Sequence, residues 1–290
     1  MKYAVRHRSK LSYQAPVSDA RLNLRLRPVE WPGQVLLSQS LTIDPPPAAI
    51  RRTTGPYLTN LDAASFACEV RDLTVESRFE ITVDPPPPAN QVPAIAEVRS
   101  EALVSRDLSV LSPAPYLFGS RIAALDRAIT DWAAPLLDPA RDVMRGALDV
   151  AHAIHEQFAY VPGKTTSATL PHEAFAARSG VCQDFAHVMI VALRGHGIPA
   201  GYVSGYLRTL PPPGKPRLVG ADAMHAWIAV WAGSRIGWVG VDPTNDCAAR
   251  DSHIVVAMGR DYADVAPIDG VFIGSAPQRI AVAVDVEEIA

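Results

Sequence analysis

The sequence predicts an α+β protein in which a β-rich amino-terminal part precedes a core of helices followed by antiparallel strands. Three observations predict it. Residues 1–90 alternate apolar and polar positions in short runs broken by proline and glycine, helical spacing dominates from about residue 120 to 195, and strand-like runs return from residue 200 onward.

In the first part the runs "LNLRLRP", "SLTID" and "SRFEITVD" read as strands. Two runs end alike, "LTIDPPP" at Leu41 to Pro47 and "ITVDPPPP" at Ile81 to Pro88, because proline has no N–H to donate to a ladder. The second proline run stiffens the chain as a spacer, and the segment after it, "ANQVPAIAEVRSE", is the natural boundary. We therefore expect a β-rich domain over residues 1–90 and a second domain with a strand-rich tail over residues 91–290.

Helical spacing appears in "GSRIAALDRAITDWAAPLL" and in "DPARDVMRGALDVAHAIHEQFAY", the latter with Asp138 as cap and Pro139 at the first helical position. A third helix is predicted in "SGVCQDFAHVMIVALRGHGIP". Its apolar positions Cys182, Phe185, Ala186, Met189, Ile190 and Leu193 share one face, with Gln183, Asp184, His187 and Arg194 mainly elsewhere. Gly197 suits the C-cap and Pro199 prevents continuation. Then follow a strand "AGYVSGYLRT", a proline-rich loop "LPPPGKPRLVGADA", and the strand-like runs "HAWIAVW", "GWVGVDPTND", "HIVVAMGRDY" and "GVFIGSAPQRIAVAVDVEE".

With 48% hydrophobic residues the chain can build a real core. Its 27 Lys and Arg against 30 Asp and Glu, with no run of like charge, give no footprint for nucleic acid. The basic start "MKYAVRHRSKLSYQAP" lacks a signal peptide's apolar stretch and no segment reaches membrane-spanning length, so a cytoplasmic protein is expected. The three cysteines, Cys68, Cys182 and Cys247, include no C-x-x-C pair and are expected to be free thiols.

Cys182 falls in the first turn of its helix, where unpaired N–H groups and the positive dipole end favour thiolate, while Asp184 opposes them. A partner base comes from "AMHAWIAVWAGSRIGWVGVDPTND", which reads as a hairpin. If His225 faces Asp242 directly, the pairing centre lies between Gly233 and Ser234. A two-residue shift keeps the pair on one face as diagonal neighbours, and a one-residue slip separates them. The residue types then fit a nucleophile Cys182, a base His225 and an orienting Asp242. The Cys182 amide is the first candidate oxyanion donor; Tyr160 and Gln183 are candidates for the second, but they read more simply as a packed aromatic and a solvated amide, and neither is assigned the role.

Other residues read more plainly. His152 and His155 have no acidic or thiol cluster near them, so they belong to a solvated helix and no metal is expected. His187 reads as a surface histidine, and Trp227, Trp231 and Trp238 as cross-strand packing or a groove lining. Cys247 lacks a helix start, and Asp246, past the Pro243 turn, is the substitute should Asp242 not orient the histidine.

The blocks "GVCQDFAHVMIVALRGHGIPAGYVSGYL", "HAWIAVW" and "GWVGVDPTN" resemble, in order, those of the bacterial transglutaminase-like superfamily, which includes predicted cysteine proteases. "FAYVPGKTT", "VVAMGRDYADVAPIDGVFIG" and the β-rich residues 1–85 resemble its flanking regions. The resemblance implies a papain-like core with the cysteine helix packed on an antiparallel sheet, and Cys182, His225 and Asp242 as the triad. The expected activity is acyl transfer at amide bonds of peptides or proteins through a thioester, without cofactor. Hydrolysis is favoured over transfer to an amine, because excluding water demands a specialised acceptor channel. The alternative from another class is an idle binding or assembly module that keeps the fold.

Overall fold

The computed structural model describes residues 1–208, 224–275 and 277–290; the proline-rich loop expected over residues 210–223 lies outside them. The amino-terminal strands are β1 (Lys2–Leu24), β2 (Gln34–Asp44), β3 (Ala49–Thr54), β4 (Asn60–Ser65) and β5 (Val70–Val83). The core contributes helices α1 (Ile95–Leu103), α2 (Arg127–Ala133), α3 (Val143–Gln157), α4 (Pro171–Ala177), α5 (Cys182–Gly195) and α6 (Tyr262–Val265). Its strands are β6 (Ala159–Tyr160), β7 (Ser179–Gly180), β8 (Ala200–Leu207), β9 (Met224–Trp231), β10 (Trp238–Asp242), β11 (Cys247–Ala248) and β12 (His253–Gly259). Two further strands, β13 (Ile268–Ile273) and β14 (Gln278–Ile289), close the chain.

β1 alternates buried and open positions over its first half, as a strand with one face on a core must. It is the spine of a seven-stranded sheet in the order β2-β5-β1-β4-β3, and β13 and β14 pair with it as well. Its first half lies between β5 and β14, and Lys2 to Tyr13 pair in unbroken antiparallel register with Ile289 to Gln278. Its second half lies between β4 and β13. The sheet expected of residues 1–90 is therefore built from residues 268–289 as well.

In the core, a five-stranded antiparallel sheet runs β11-β10-β9-β8-β12. Asp126 caps α2 by accepting from the Ile129 N–H at 3.0 Å, and Asp142 caps α3 by accepting from the Arg145 N–H at 2.9 Å. Helix α3 thus starts four residues later than the Asp138-Pro139 signal suggests. Asp138 instead accepts from the Ala140 N–H at 2.8 Å in the preceding turn.

α5 departs from the one-sided amphipathic reading, since every residue from Asp184 to Arg194 is buried. β8 and β9 cover one side, and α2, α3 and α4 the rest. Arg194 is tolerated there because its guanidinium donates to the carbonyls of Ala200, Phe118 and Arg260 and to Ser120. The two sheets also share a core, in which Tyr3, Val5, Phe79, Ile81, Val284 and Val286 of the first meet Tyr206, Ile254 and Val256 of the second. Gln34 links them further: its amide donates to the Val29 and Val255 carbonyls and accepts from the Val255 N–H.

Candidate active site

A two-residue parallel ladder sets the position of Cys182. β6 pairs with β7 so that Tyr160 lies opposite Gly180, and the Val161 N–H donates to the Gly180 carbonyl at 2.8 Å. The chain then turns through Val181 into α5. Asp184, buried in the first turn, accepts from the Val181 N–H at 2.8 Å and from the Thr165 hydroxyl at 2.6 Å. Glycine is needed at position 180, where a Cβ would fall 2.5 Å from the Asp184 carboxylate. Asp184, read from sequence as an opposing charge on the thiol, is thus spent on fixing the turn that presents Cys182. Among the described residues the Cys182 N–H meets no acceptor, as befits a first-turn amide.

The hairpin of β9 and β10 brings His225 to Asp242 by the diagonal register. Val241 pairs with Ile228 and Trp238 with Trp231, two residues away from direct opposition of His225 and Asp242. The turn is centred one residue later than expected, with Gly233 at φ 88° and Gly237 at φ 79°, left-handed values that favour glycine. His225 Nε2 lies 2.7 Å from Asp242 Oδ2, which leaves Nδ1 for Cys182.

Asp242 is fully buried and saturated with donors. Oδ1 accepts from the N–H groups of Thr244 at 2.9 Å and Asn245 at 3.2 Å. Oδ2 accepts from His225, from Asn245 Nδ2 at 2.7 Å and from His253 Nε2 at 3.1 Å. Burial opposes ionisation, but His225 and His253 outweigh it and hold the carboxyl far below the ordinary carboxylate range. Burial likewise opposes the charge on His225, but its contacts with Asp242 and Cys182 prevail and raise its pKa to about 10.

His253 and Asn245 are the members of this cluster that the sequence did not disclose. His253 lies on β12, which reaches the site only because β12 pairs with β8, an order that no local pattern records. With His225 and Asp242 it makes a group resembling metal ligands. Its protonation argues otherwise: the Arg250 N–H donates to His253 Nδ1 at 3.3 Å, so Nε2 carries the proton and faces Asp242 as a donor. Trp227, fully buried, stacks on His225 at 6.0 Å and meets His253 edge-on at 5.2 Å.

Elsewhere the structure sorts the candidates. The Tyr160 hydroxyl interacts with the Cys182 thiol, and the ring is 52% exposed. The Gln183 amide turns to the Ser167 carbonyl at 3.4 Å. Asp246 bonds His152 Nδ1 at 2.7 Å rather than His225, and His155 Nδ1 bonds the Thr244 carbonyl at 2.9 Å. These two helix histidines therefore brace the turn after Asp242 instead of only facing water. His187 is not a surface residue. It is fully buried beside Tyr202, accepts from the Tyr262 N–H at 3.2 Å, and burial lowers its pKa to about 4. Trp227, Trp231 and Trp238 are all buried as cross-strand packing. Cys247 is half-buried, and burial with the nearby charges of Asp242 and Asp246 pushes its thiol up to about 11.

Cys182 and His225 open onto a cleft of about 380 Å³. Tyr202, Met224 and Tyr262 line its core side, and His7, Ser9, Ile280 and Val282 of the first sheet form the facing wall.

A buried carboxylate, an imidazole and a helix-start thiol beside such a cleft define a thiol-enzyme architecture. The sequence pattern of the transglutaminase-like superfamily matches residues 130–243, and that of the bacterial transglutaminase-like N-terminal region matches residues 3–82. An uncharacterized protein of Mycobacterium tuberculosis is 38% identical over 98% of this chain and 92% of its own length. A protein-glutamine gamma-glutamyltransferase of Pseudomonas aeruginosa is 40% identical over 97 residues, 32% of this chain and 14% of that protein. Among solved structures, a candidate cysteine protease from Cytophaga hutchinsonii superposes with a TM-score of 0.76 at 22% identity, covering 100% of this chain and 92% of that one. The chain belongs to the bacterial transglutaminase-like superfamily, a family of thiol enzymes with a papain-like fold.

Proposed function

We propose that the protein is a cysteine hydrolase of amide bonds in peptides or proteins, with Cys182 as nucleophile, His225 as proton carrier and Asp242 as its anchor. The observation that carries this reading is the imidazole held between Asp242, at 2.7 Å, and the Cys182 thiol. Cys182 gives its proton to His225 and its sulfur attacks the carbonyl carbon. The oxyanion is met by the Cys182 N–H and the Tyr160 hydroxyl. The C–N bond breaks as imidazolium protonates the leaving nitrogen, giving a thioester. Water then loses a proton to His225, attacks the thioester, and restores the thiol and a carboxylic acid.

Hydrolysis is favoured over transfer to an amine because the thiol's neighbour Tyr160 is 52% exposed, so water has access to the thioester. The similarity to a protein-glutamine gamma-glutamyltransferase supports amine transfer as the second reading. The saturated Asp242 speaks against an idle module, since a buried carboxylate with this donor set is costly to keep for packing alone. The test is to trap acyl-enzyme from a glutamine-containing peptide library, read the adduct by mass spectrometry, and chase it with water or with a primary amine. Release as acid supports hydrolysis, release as amide supports transfer, and an adduct that survives Cys182→Ser refutes both.

A further inference from the structure

The face of β14 that looks into the cleft is one aliphatic row whose members have different fates. Ile280, Val282, Val284 and Val286 alternate along the strand and so point the same way. Val284 and Val286 are buried at 0% and 1% exposure against Tyr206, Ile254 and Val256. Ile280 and Val282, next on the same row, are 46% and 52% exposed where the second sheet no longer covers them. They face the cleft that holds Cys182 and His225. The polar members of that wall offer no charge. His7, opposite Val284 on β1, is 1% exposed, with Nε2 on the Ser9 hydroxyl at 2.7 Å and Nδ1 without a partner. Burial lowers its pKa to about 4, so it is neutral near pH 7. Among the described residues no Lys, Arg, Asp or Glu lines the cleft.

Resting on the hydrolase reading, we propose that this cleft is a specificity pocket for an uncharged aliphatic side chain on the acyl side of the scissile amide, with Ile280 and Val282 as its contact surface. A carbonyl held at the Cys182 sulfur brings the acyl side of its chain between the two walls. An aliphatic group there covers the two bared side chains, whereas a carboxylate or ammonium against this wall loses water without gaining a partner from it, and the imidazole of His225 across the cleft is already paired with Asp242. The recognition surface is thus supplied by the last strand, and the thiol by the core.

Binding is measured with the full chain carrying Cys182→Ala and fluorescent peptides Ala-X-Ala-amide in which X is Leu, Gln, Glu or Lys. The Leu peptide should bind on the order of tenfold or more tighter than the Glu and Lys peptides. Val282→Asp and Ile280→Lys should each remove most of that preference, and Ile280→Lys should draw in the Glu peptide. Both positions are exposed, so melting curves should stay near those of the parent, and Ile280→Ser is the milder variant if they do not. Val271→Lys, the same kind of change at a 67% exposed aliphatic outside the cleft, should leave binding as it was. Equal binding of Leu and Glu peptides, or an undiminished Leu preference in Val282→Asp, overturns the proposal. Turnover of the Leu peptide by unmodified protein is read separately: binding without turnover sinks the hydrolase reading alone, and turnover without Leu preference sinks the pocket alone.

Discussion

Replacing His253 by phenylalanine tests whether the second histidine on Asp242 tunes the first. The substitution keeps a ring against Trp227 but removes the 3.1 Å donor, leaving Oδ2 with His225 and Asn245 and Oδ1 with two backbone N–H groups. A hydrogen bond to a charged group contributes about 1.5–3 kcal/mol, and the longer distance puts this one near the lower end. With one donor fewer the carboxylate is more basic and holds the imidazolium more firmly, so the proton is given up to the leaving group less readily. About 1.4 kcal/mol corresponds to roughly tenfold in kcat and to at most about one unit in the pKa of His225, upward. The assay is kcat and KM against pH for the parent, His253→Phe and His253→Gln, with thermal melts alongside. His253→Phe should lose about tenfold in kcat at little change in KM, with its alkaline limb displaced upward. His253→Gln, which restores an N–H donor, should recover most of both. If the two variants have the parent's pH profile and differ from it only in Tm, His253 is a packing residue and the reasoning fails.

Asp242→Asn should reduce kcat by roughly 10² to 10⁴ with the fold retained, since an amide neither stabilises imidazolium nor fixes the tautomer; activity near that of the parent would remove Asp242 from the mechanism. Tyr160→Phe should cost on the order of tenfold to a hundredfold in kcat with KM nearly constant if the hydroxyl meets the oxyanion, and an unchanged kcat would leave that role to another donor. Acid should destabilise the protein through its buried neutral histidines. His7 and His187 have folded pKa values lowered to about 4, so their contribution is complete above the unfolded value near 6.5 and is lost as pH falls from there toward 4. At roughly 1.4 kcal/mol per unit each is good for about 3 kcal/mol, and His187→Phe should flatten Tm against pH in that window. A fragment of residues 91–290 should fail to melt cooperatively, because Tyr206, Ile254 and Val256 lose their cover and β13 and β14 lose their partner strand; a sharp transition would show that the core folds alone.

The placement of the candidate site residues is legible in the sequence where it is local. Cys182 at a helix start and His225 with Asp242 in one hairpin follow from spacing, and even the hairpin's two-residue uncertainty leaves the pair on one face. The helix around Cys182 looks amphipathic because Arg194 and His187 are polar, yet both are buried: three carbonyls and a hydroxyl satisfy one, and a backbone N–H reaches one ring nitrogen of the other, which burial keeps neutral near pH 7. Apart from Ala200, six residues on from Arg194, these partners lie 66 to 76 residues away in the chain and leave no periodic trace. His253 is hidden for a related reason: its place beside Asp242 depends on strand order, and Gly205 makes the room by carrying no Cβ to strike Trp227 at 2.4 Å. The pairing of β14 with β1 is likewise a fact of topology that composition does not hold.

That pairing sets an order of assembly on the protein as it is made. Cys182, His225 and Asp242 all leave the ribosome before residues 278–289, which must travel back to lie beside residues 2–13. Until they arrive β1 has a bare edge along its first half, open to the wrong partner, and the cleft beside Cys182 lacks the wall that Ile280 and Val282 supply. A contact spanning nearly the whole chain is also slow to find. On the proposed reading, the candidate nucleophile is thus made before the strand that would confer selectivity, because the spine of the sheet, residues 2–24, precedes its flank, residues 278–289, in the chain.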